Sequence, residues 1–259
     1  MLTTQQIKFF KTFGFLWLRQ QFTAAEMNEI IQETDKMLAE NEGRKTGPSH
    51  QSVVPFVEQS SSLGRLPEDD RIYRPMQQVL GKGFVWGNSE GVSGSFNETN
   101  DHQWHCDRAG QIDLQYTRVK IMIYLQPMRK DAGALRVIPG SHHLSFHRRL
   151  LPLESQEQGS SQAAFGIGGS DLCCFPLEVD LGDVVIFNHY LFHGVFGKQS
   201  RRRYVALKFA AKIETEQQYD ALRPHRQDAS CLHENYRYSD RPRIQEMVEG
   251  LLTWEKKVG

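Results

Sequence analysis

From Phe84 to about Phe209 the sequence is divided into short segments rich in Val, Ile, Phe and Tyr, each bounded by Gly, Asn, Asp or Pro. No other feature constrains the fold as tightly. Val119 to Leu125, Leu135 to Ile138, Val184 to Phe187 and Tyr204 to Phe209 are the clearest of these segments. Runs of β-branched and aromatic residues this short, separated by turn formers, read as strands. Many in succession argue for an antiparallel sandwich or barrel.

Helical signals flank this region. Thr3 with Gln6 has the form of a capping box ahead of Ile7, Phe9 and Phe10, which predicts a short helix to about Thr12 that stops at Gly14. Phe15 to Leu18 then reads as a short buried strand. Thr23 with Glu26 repeats the capping pattern, and Met27, Ile30, Ile31, Thr34, Met37 and Leu38 recur at helical spacing until Asn41 and Gly43. Near the other end, Asp240 and Pro242 open a predicted helix carrying Ile244, Met247, Val248, Leu251, Leu252 and Trp254. Residues 42–72 read as a surface loop. Residues 154–171, rich in Gln, Ser and Gly, read as a mobile loop that either covers an active site or is passive.

The chain of 259 residues is long enough to bury a large core, and a single domain is the expectation: a helical flank over about 1–42, a β core over about 84–210 and a helical tail over about 240–258. Lys plus Arg number 31 and Asp plus Glu 31, so no net field draws the chain to nucleic acid or to an anionic membrane surface. The apolar stretch at Phe13 to Leu18 falls far short of the roughly 20 residues that span a bilayer. The four cysteines, at 106, 173, 174 and 231, form no CxxC pair and read as reduced thiols. A cytoplasmic protein acting on a small molecule is the expectation, and its oligomeric state stays open.

The chemistry concentrates in two places. In Trp104-His105-Cys106-Asp107 the His and Asp stand two apart, so on a strand both project from one face and can share a metal ion. Farther along, Gly182-Asp183-Val184-Val185-Ile186-Phe187-Asn188 leads into His193-Gly194, a strand that ends at a histidine. Two histidines and one carboxylate occupy one face of an octahedron and leave three positions open, the ligand set of oxygen-activating iron(II). His189 is the competing ligand, but no glycine follows it. Among Arg201, Arg202 and Arg203, Arg202 shares parity with Tyr204 and Ala206 and is expected to point inward, whereas Arg203 shares parity with the helix-facing Val205, Leu207 and Phe209. A guanidinium is the natural bidentate partner of a co-substrate carboxylate.

The order and spacing of Trp104-His105-x-Asp107, Asp131-Ala-Gly133-Ala-Leu135-Arg-Val-Ile-Pro139-Gly140-Ser141-His142, Gly182-Asp183 through His193-Gly194, and then Arg202 resemble the phytanoyl-CoA dioxygenase family. The likeness runs over about residues 2–210. It implies a double-stranded β-helix, the jelly-roll barrel, with iron(II) held by His105, Asp107 and His193. It also implies 2-oxoglutarate and dioxygen as co-substrates, with Arg202 on the far carboxylate of 2-oxoglutarate and succinate as its product. Pro139-Gly140-Ser141-His142 resembles a turn that closes one end of the barrel, and His142, His143 and His147 are expected at the surface. The chain departs from the family at Val195, where several relatives carry a small hydroxyl residue. A second departure is Ile123, which stands where several relatives carry an aromatic.

Asp107 favours hydroxylation, or oxidative cyclisation or desaturation, over halogenation, because related halogenases replace this carboxylate with a small residue. Asn88, Asn97 and Arg108 are the candidate substrate contacts. The substrate expected from the resemblance is a small polar metabolite or natural-product scaffold. Two alternatives stand beside this reading. One is a cupin-like metal-dependent hydrolase or isomerase that uses the same triad without 2-oxoglutarate; the other is a catalytically silent jelly-roll binding protein.

Overall fold

The computed structural model describes residues 1–41, 45–47, 50–96, 102–107, 115–154, 160–197, 199–222 and 232–258. Helix α1 (Thr4–Phe13) begins with the expected capping box: Gln6 N donates to Thr3 Oγ1 at 3.1 Å and Thr3 N to Gln6 Oε1 at 2.8 Å. It ends at Gly14, whose φ of +84° and close approach to the His142 ring leave no room for a side chain. Strand β1 (Phe15–Leu18) follows, then α2 (Ala24–Glu40), capped by Thr23 and Glu26.

Residues 42–72 depart from the surface loop that was expected. Strands β2 (Lys45–Gly47) and β3 (His50–Val53) form a hairpin, and short 3-10 helices lie at Val57–Gln59 and Leu63–Glu68. Val53, Phe56 and Val57 are buried in the core, and Trp86 Nε1 donates at 2.9 Å to the buried Glu58 carboxyl. Burial pushes the Glu58 pKa up. The polar composition concealed these few apolar anchors.

Helix α3 (Asp70–Leu80) leads into the strands β4 (Val85–Phe96), β5 (His102–His105), β6 (Arg118–Tyr124) and β7 (Ala132–Val137). After α4 (Leu144–Leu150) and α5 (Ser160–Phe165) come β8 (Phe175–Leu177), β9 (Val184–Asn188), β10 (His193–Gly197) and β11 (Gln199–Ala210). Two short helices, α6 (Glu216–Asp220) and α7 (Glu234–Arg237), precede α8 (Pro242–Val258).

The strands form two antiparallel sheets, a major one in the order β1-β9-β6-β11-β4-β3-β2 and a minor one in the order β5-β10-β7-β8. Period-two alternation sorts the major sheet's side chains into two cores. Val119, Ile121, Ile123, Val205, Leu207 and Phe209 pack with Met27 and Ile30 of α2 and Ile244, Met247 and Leu251 of α8. The alternate residues Met122, Tyr124, Tyr204 and Ala206 pack with Leu135, Val137 and Val195 of the minor sheet. Each fully buried large apolar side chain contributes about 1.5–3 kcal/mol relative to exposure, so these two layers hold the sheets and helices together.

The predicted block at Gly182 and Asp183 is a fastening for the amino-terminal strand. Asp183 accepts hydrogen bonds from Trp17 Nε1 at 2.9 Å, Gln20 N at 2.9 Å and Asp180 N at 3.1 Å. Gly182 lies at φ +91°, and a Cβ there would stand 2.3 Å from the Phe22 carbonyl oxygen. No helix among the described residues is long and apolar enough to cross a membrane.

Candidate metal centre

His105 and His193 meet through sheet register. β5 and β10 are antiparallel neighbours with His105 directly opposite His193, and the two imidazole centroids lie 4.3 Å apart. β5 ends at His105, so Asp107 sits on the segment just past the strand and does not share a face with His105 by alternation as expected. The loop returns its carboxylate to the histidine pair: Asp107 Oδ1 is 3.8 Å from His105 Nε2 and 3.7 Å from His193 Nε2. Cys106, between them in sequence, points the other way and its thiol donates to Glu154 Oε1 at 2.9 Å.

The tautomers are set by the backbone. His105 Nδ1 lies 2.7 Å from the Gln103 carbonyl and His193 Nδ1 lies 2.8 Å from the Leu191 carbonyl, so each Nδ1 carries the proton and each Nε2 presents a lone pair. The three ligand atoms fall within 4.8 Å of one another. Cis ligands about 2.1 Å from an ion stand about 3 Å apart, so the two carboxylate–imidazole separations of 3.8 and 3.7 Å need shorten by less than about an ångström. The donor set fits iron(II).

Lys120 of β6 completes the carboxylate's surroundings. Its Nζ donates to Asp107 Oδ2 at 2.9 Å and stands 3.9 Å from Glu90 Oε2. Burial opposes the charged form of Asp107, but the Lys120 ammonium and the neighbouring His193 hold its pKa well below the ordinary carboxylate range. Burial likewise opposes the charge on Lys120, and Asp107 and Glu90 outweigh it and raise its pKa. Glu90 is shifted down despite burial, by Lys208 at 3.5 Å, by Lys120 and by the Ser52 hydroxyl.

Arg202 is buried on the same face of the major sheet. Its Nε donates to the Gly133 carbonyl at 2.9 Å and its Nη2 to the Tyr124 hydroxyl at 3.0 Å. Arg203 turns the other way and pairs with Asp35 of α2 at 2.5 Å. Tyr124 corrects the supposed departure at Ile123. Ile123 belongs to the helix-facing core, and the aromatic that faces Arg202 is the next residue. Val195 packs between the sheets as an ordinary apolar residue.

Asn88 lies on β4 opposite Lys208, with its Oδ1 buried and, among the described residues, without a hydrogen-bond partner. Asn97 and Arg108 fall outside the described residues. His189, the competing ligand, lies just past β9; its Nδ1 donates at 3.0 Å to the Asp107 carbonyl, so it braces the loop. His147, expected at the surface, is buried, with Nδ1 on the Ser141 carbonyl at 3.1 Å. The described part of the 154–171 segment is held through its main chain. Gly169 O accepts from Trp104 Nε1 at 2.8 Å and Ser170 O from Arg136 Nη1 at 2.6 Å, which pins it to the minor sheet.

Sequence reading passed over Lys120, Glu90 and Tyr124. The available signal was a lysine in the middle of Val119-Lys120-Ile121-Met122-Ile123-Tyr124: a charge that interrupts an apolar strand has to meet another charge. Its parity with Tyr124 then identifies the inner face.

Comparison with known proteins places the fold and the family. No curated protein matches the chain. Among solved structures, HygX from Streptomyces hygroscopicus with nickel and 2-oxoglutarate bound superposes with a TM-score of 0.66 at 21% identity, over 83% of this chain and 89% of that one. HygX has also been solved with hygromycin B bound. EctD from S. alaskensis with 2-oxoglutarate and 5-hydroxyectoine gives 0.63 at 18% identity, over 82% and 77%. SnoK, a non-haem α-ketoglutarate-dependent carbocyclase from nogalamycin biosynthesis, gives 0.61 at 16%, over 82% and 85%. The sequence model of the phytanoyl-CoA dioxygenase (PhyH) family matches residues 10–203, and the chain therefore belongs to that family of non-haem iron, 2-oxoglutarate-dependent oxygenases.

Proposed function

We propose that His105, Asp107 and His193 hold a single ferrous ion, that Arg202 binds the distal carboxylate of 2-oxoglutarate, and that the enzyme couples decarboxylation of this co-substrate to succinate with oxidation of a small polar metabolite or natural-product scaffold. The oxidation is a hydroxylation or an oxidative cyclisation or desaturation. The observation that carries the reading is the pair of imidazoles, each with Nδ1 tied to a main-chain carbonyl and Nε2 turned to Asp107 Oδ1. A hydrogen-bonded histidine pair without a metal role has no need of both lone pairs on one point.

The bound iron supplies dioxygen activation; the protein supplies positioning. Lys120 occupies Asp107 Oδ2 and leaves Oδ1 for the metal. Tyr124 and the Gly133 carbonyl hold Arg202 in place on the inner face, where its guanidinium is the bidentate partner proposed for a carboxylate. The apolar packing of Met122, Val195 and Ala206 keeps the space between the sheets dry.

We further read the two facing sheets as the jelly roll of this family, and the whole of 1–259 as one oxygenase domain. Support for the latter comes from α8, whose Ile244, Met247 and Leu251 share the core of β4 and β6. The relatives crystallised with hygromycin B or 5-hydroxyectoine support a polar small-molecule substrate. The test is succinate formation from 2-oxoglutarate by purified protein. It should require both iron(II) and dioxygen and fall to background when either is withheld; succinate formed without added or bound iron contradicts the reading.

A further inference from the structure

The inner face of the major sheet continues beyond the candidate metal centre to a residue that neither the triad nor the co-substrate uses. Strands β6 and β11 pair Tyr124 with Tyr204, Met122 with Ala206, Lys120 with Lys208 and Arg118 with Ala210. Asp107 grips Lys120, so the metal level is the Lys120 rung. Arg202 lies toward the Tyr124 end. Arg118 lies on the opposite side, two residues from Lys120 and about 7 Å along the strand, with its side chain on the same face by alternation.

A second contact ties Arg118 to the metal-ligand loop. His189 donates its main-chain N–H to the Arg118 carbonyl at 2.9 Å and its Nδ1 to the Asp107 carbonyl at 3.0 Å. One residue therefore joins the start of β6 to the loop that carries Asp107.

Arg118 is 8% exposed, and its Nη1 is buried and has no hydrogen-bond partner among the described residues. Among the described residues its guanidinium forms no ion pair. The other charges nearby are matched: Lys120 lies between Asp107 and Glu90, and Lys208 stands 3.5 Å from Glu90. Among the described residues, two carboxylates against Lys120, Lys208 and Arg118 leave one positive charge in excess. A buried guanidinium without a counter-charge is costly, because desolvation is not repaid. The Asn88 Oδ1, opposite Lys208, is a second buried group in want of a partner, an acceptor in the orientation described.

We propose that Arg118 anchors an anionic group, a carboxylate or phosphate, of the molecule that is oxidised, and that Asn88 accepts a hydrogen bond from a hydroxyl or amine of the same molecule. The substrate is then an anionic small metabolite, held on the far side of the metal level from the co-substrate carboxylate that Arg202 takes. This rests on the proposed function, since it takes the metal level as given.

The test is anaerobic calorimetry on protein preloaded with iron(II) and saturating 2-oxoglutarate, so that the metal and Arg202 are already occupied. Propionate, methyl phosphate and neutral propionamide are the probes, and the visible charge-transfer band of the iron and 2-oxoglutarate complex is recorded on the same samples. At least one anion is expected to bind the wild-type protein, with affinity falling tenfold or more in Arg118→Gln and less in Arg118→Lys, while propionamide does not bind. Preference for propionate or for methyl phosphate identifies the anionic group. The band in Arg118→Gln shows that the variant is folded and loaded. A normal band with no anion binding to the wild type, or with equal binding to Arg118→Gln, overturns the Arg118 proposal alone. Absence of the band in the wild type overturns the co-substrate reading beneath it.

Discussion

Lys120 Nζ donates to Asp107 Oδ2 at 2.9 Å, while Oδ1 of the same carboxylate lies 3.7 Å from His193 Nε2. The ammonium thus divides the two oxygens between a fixed partner and an open position. Lys120→Met keeps the length of the side chain and removes the donor. Groups that orient a metal ligand typically account for 10–100-fold in metal affinity, so iron(II) binding by competition with a chelator should weaken by about that factor. Unchanged affinity would remove Lys120 from the centre.

The Arg202 pocket makes a graded prediction. Arg202→Ala removes the charge-assisted bonds to the co-substrate carboxylate, about 2 kcal/mol, and should raise KM for 2-oxoglutarate roughly 30-fold. Tyr124→Phe removes only the hydroxyl that accepts from Arg202 Nη2, about 1 kcal/mol, and should raise KM about fivefold. Initial-rate measurements of succinate formation distinguish the two, and an effect of Tyr124→Phe as large as that of Arg202→Ala would contradict the assigned order.

Asp183 carries a stability prediction separate from the chemistry. It accepts from Trp17 Nε1, from the main-chain and side-chain nitrogens of Gln20 and from Asp180 N, and Asp183→Ala strands these donors. Denaturant unfolding should show a loss of about 3 kcal/mol, with the affinity for iron(II) unchanged in the folded fraction.

His142 supplies the pH dependence. Burial, followed by the neighbouring His143, lowers its pKa from 6.5 to about 4. The unfolded chain therefore binds a proton that the folded chain refuses between these values. This contribution to stability is fully present above about pH 6.5 and is lost as pH falls toward 4. His142→Gln should flatten the Tm profile across that window relative to the wild type; parallel profiles would show that His142 does not titrate this way.

How far the sequence carries the structure can be judged from single residues. Thr3, Gln6, Gly14, Thr23 and Glu26 act through local geometry, so the helices they bound were legible directly. The split between Arg202 and Arg203 was legible because alternation on a strand is strict. Asp107 lies beside the two histidines, but not by the alternation expected: β5 stops at His105, and what brings His105 to His193 is the register of β5 with β10, a long-range property no local pattern carries. The hairpin at 45–53 escaped because Lys45, Thr46, Gly47, His50 and Gln51 have the composition of a loop, and only the pairing of β3 with β4, and of β2 with β3, makes them a sheet edge. His147 was misplaced because its helix reads as polar, although packing against Phe192 buries its ring.

The central claim is that residues 105, 107 and 193 share one ferrous ion with 2-oxoglutarate beside it, and anaerobic absorption spectroscopy tests it most directly. Adding iron(II) and 2-oxoglutarate to the wild-type protein should produce a visible charge-transfer band that saturates at one iron per chain, and Asp107→Gly and His193→Ala should weaken or abolish it while remaining folded. A wild-type protein that gives no band, or variants that give the full band at the same iron concentration, would contradict the account.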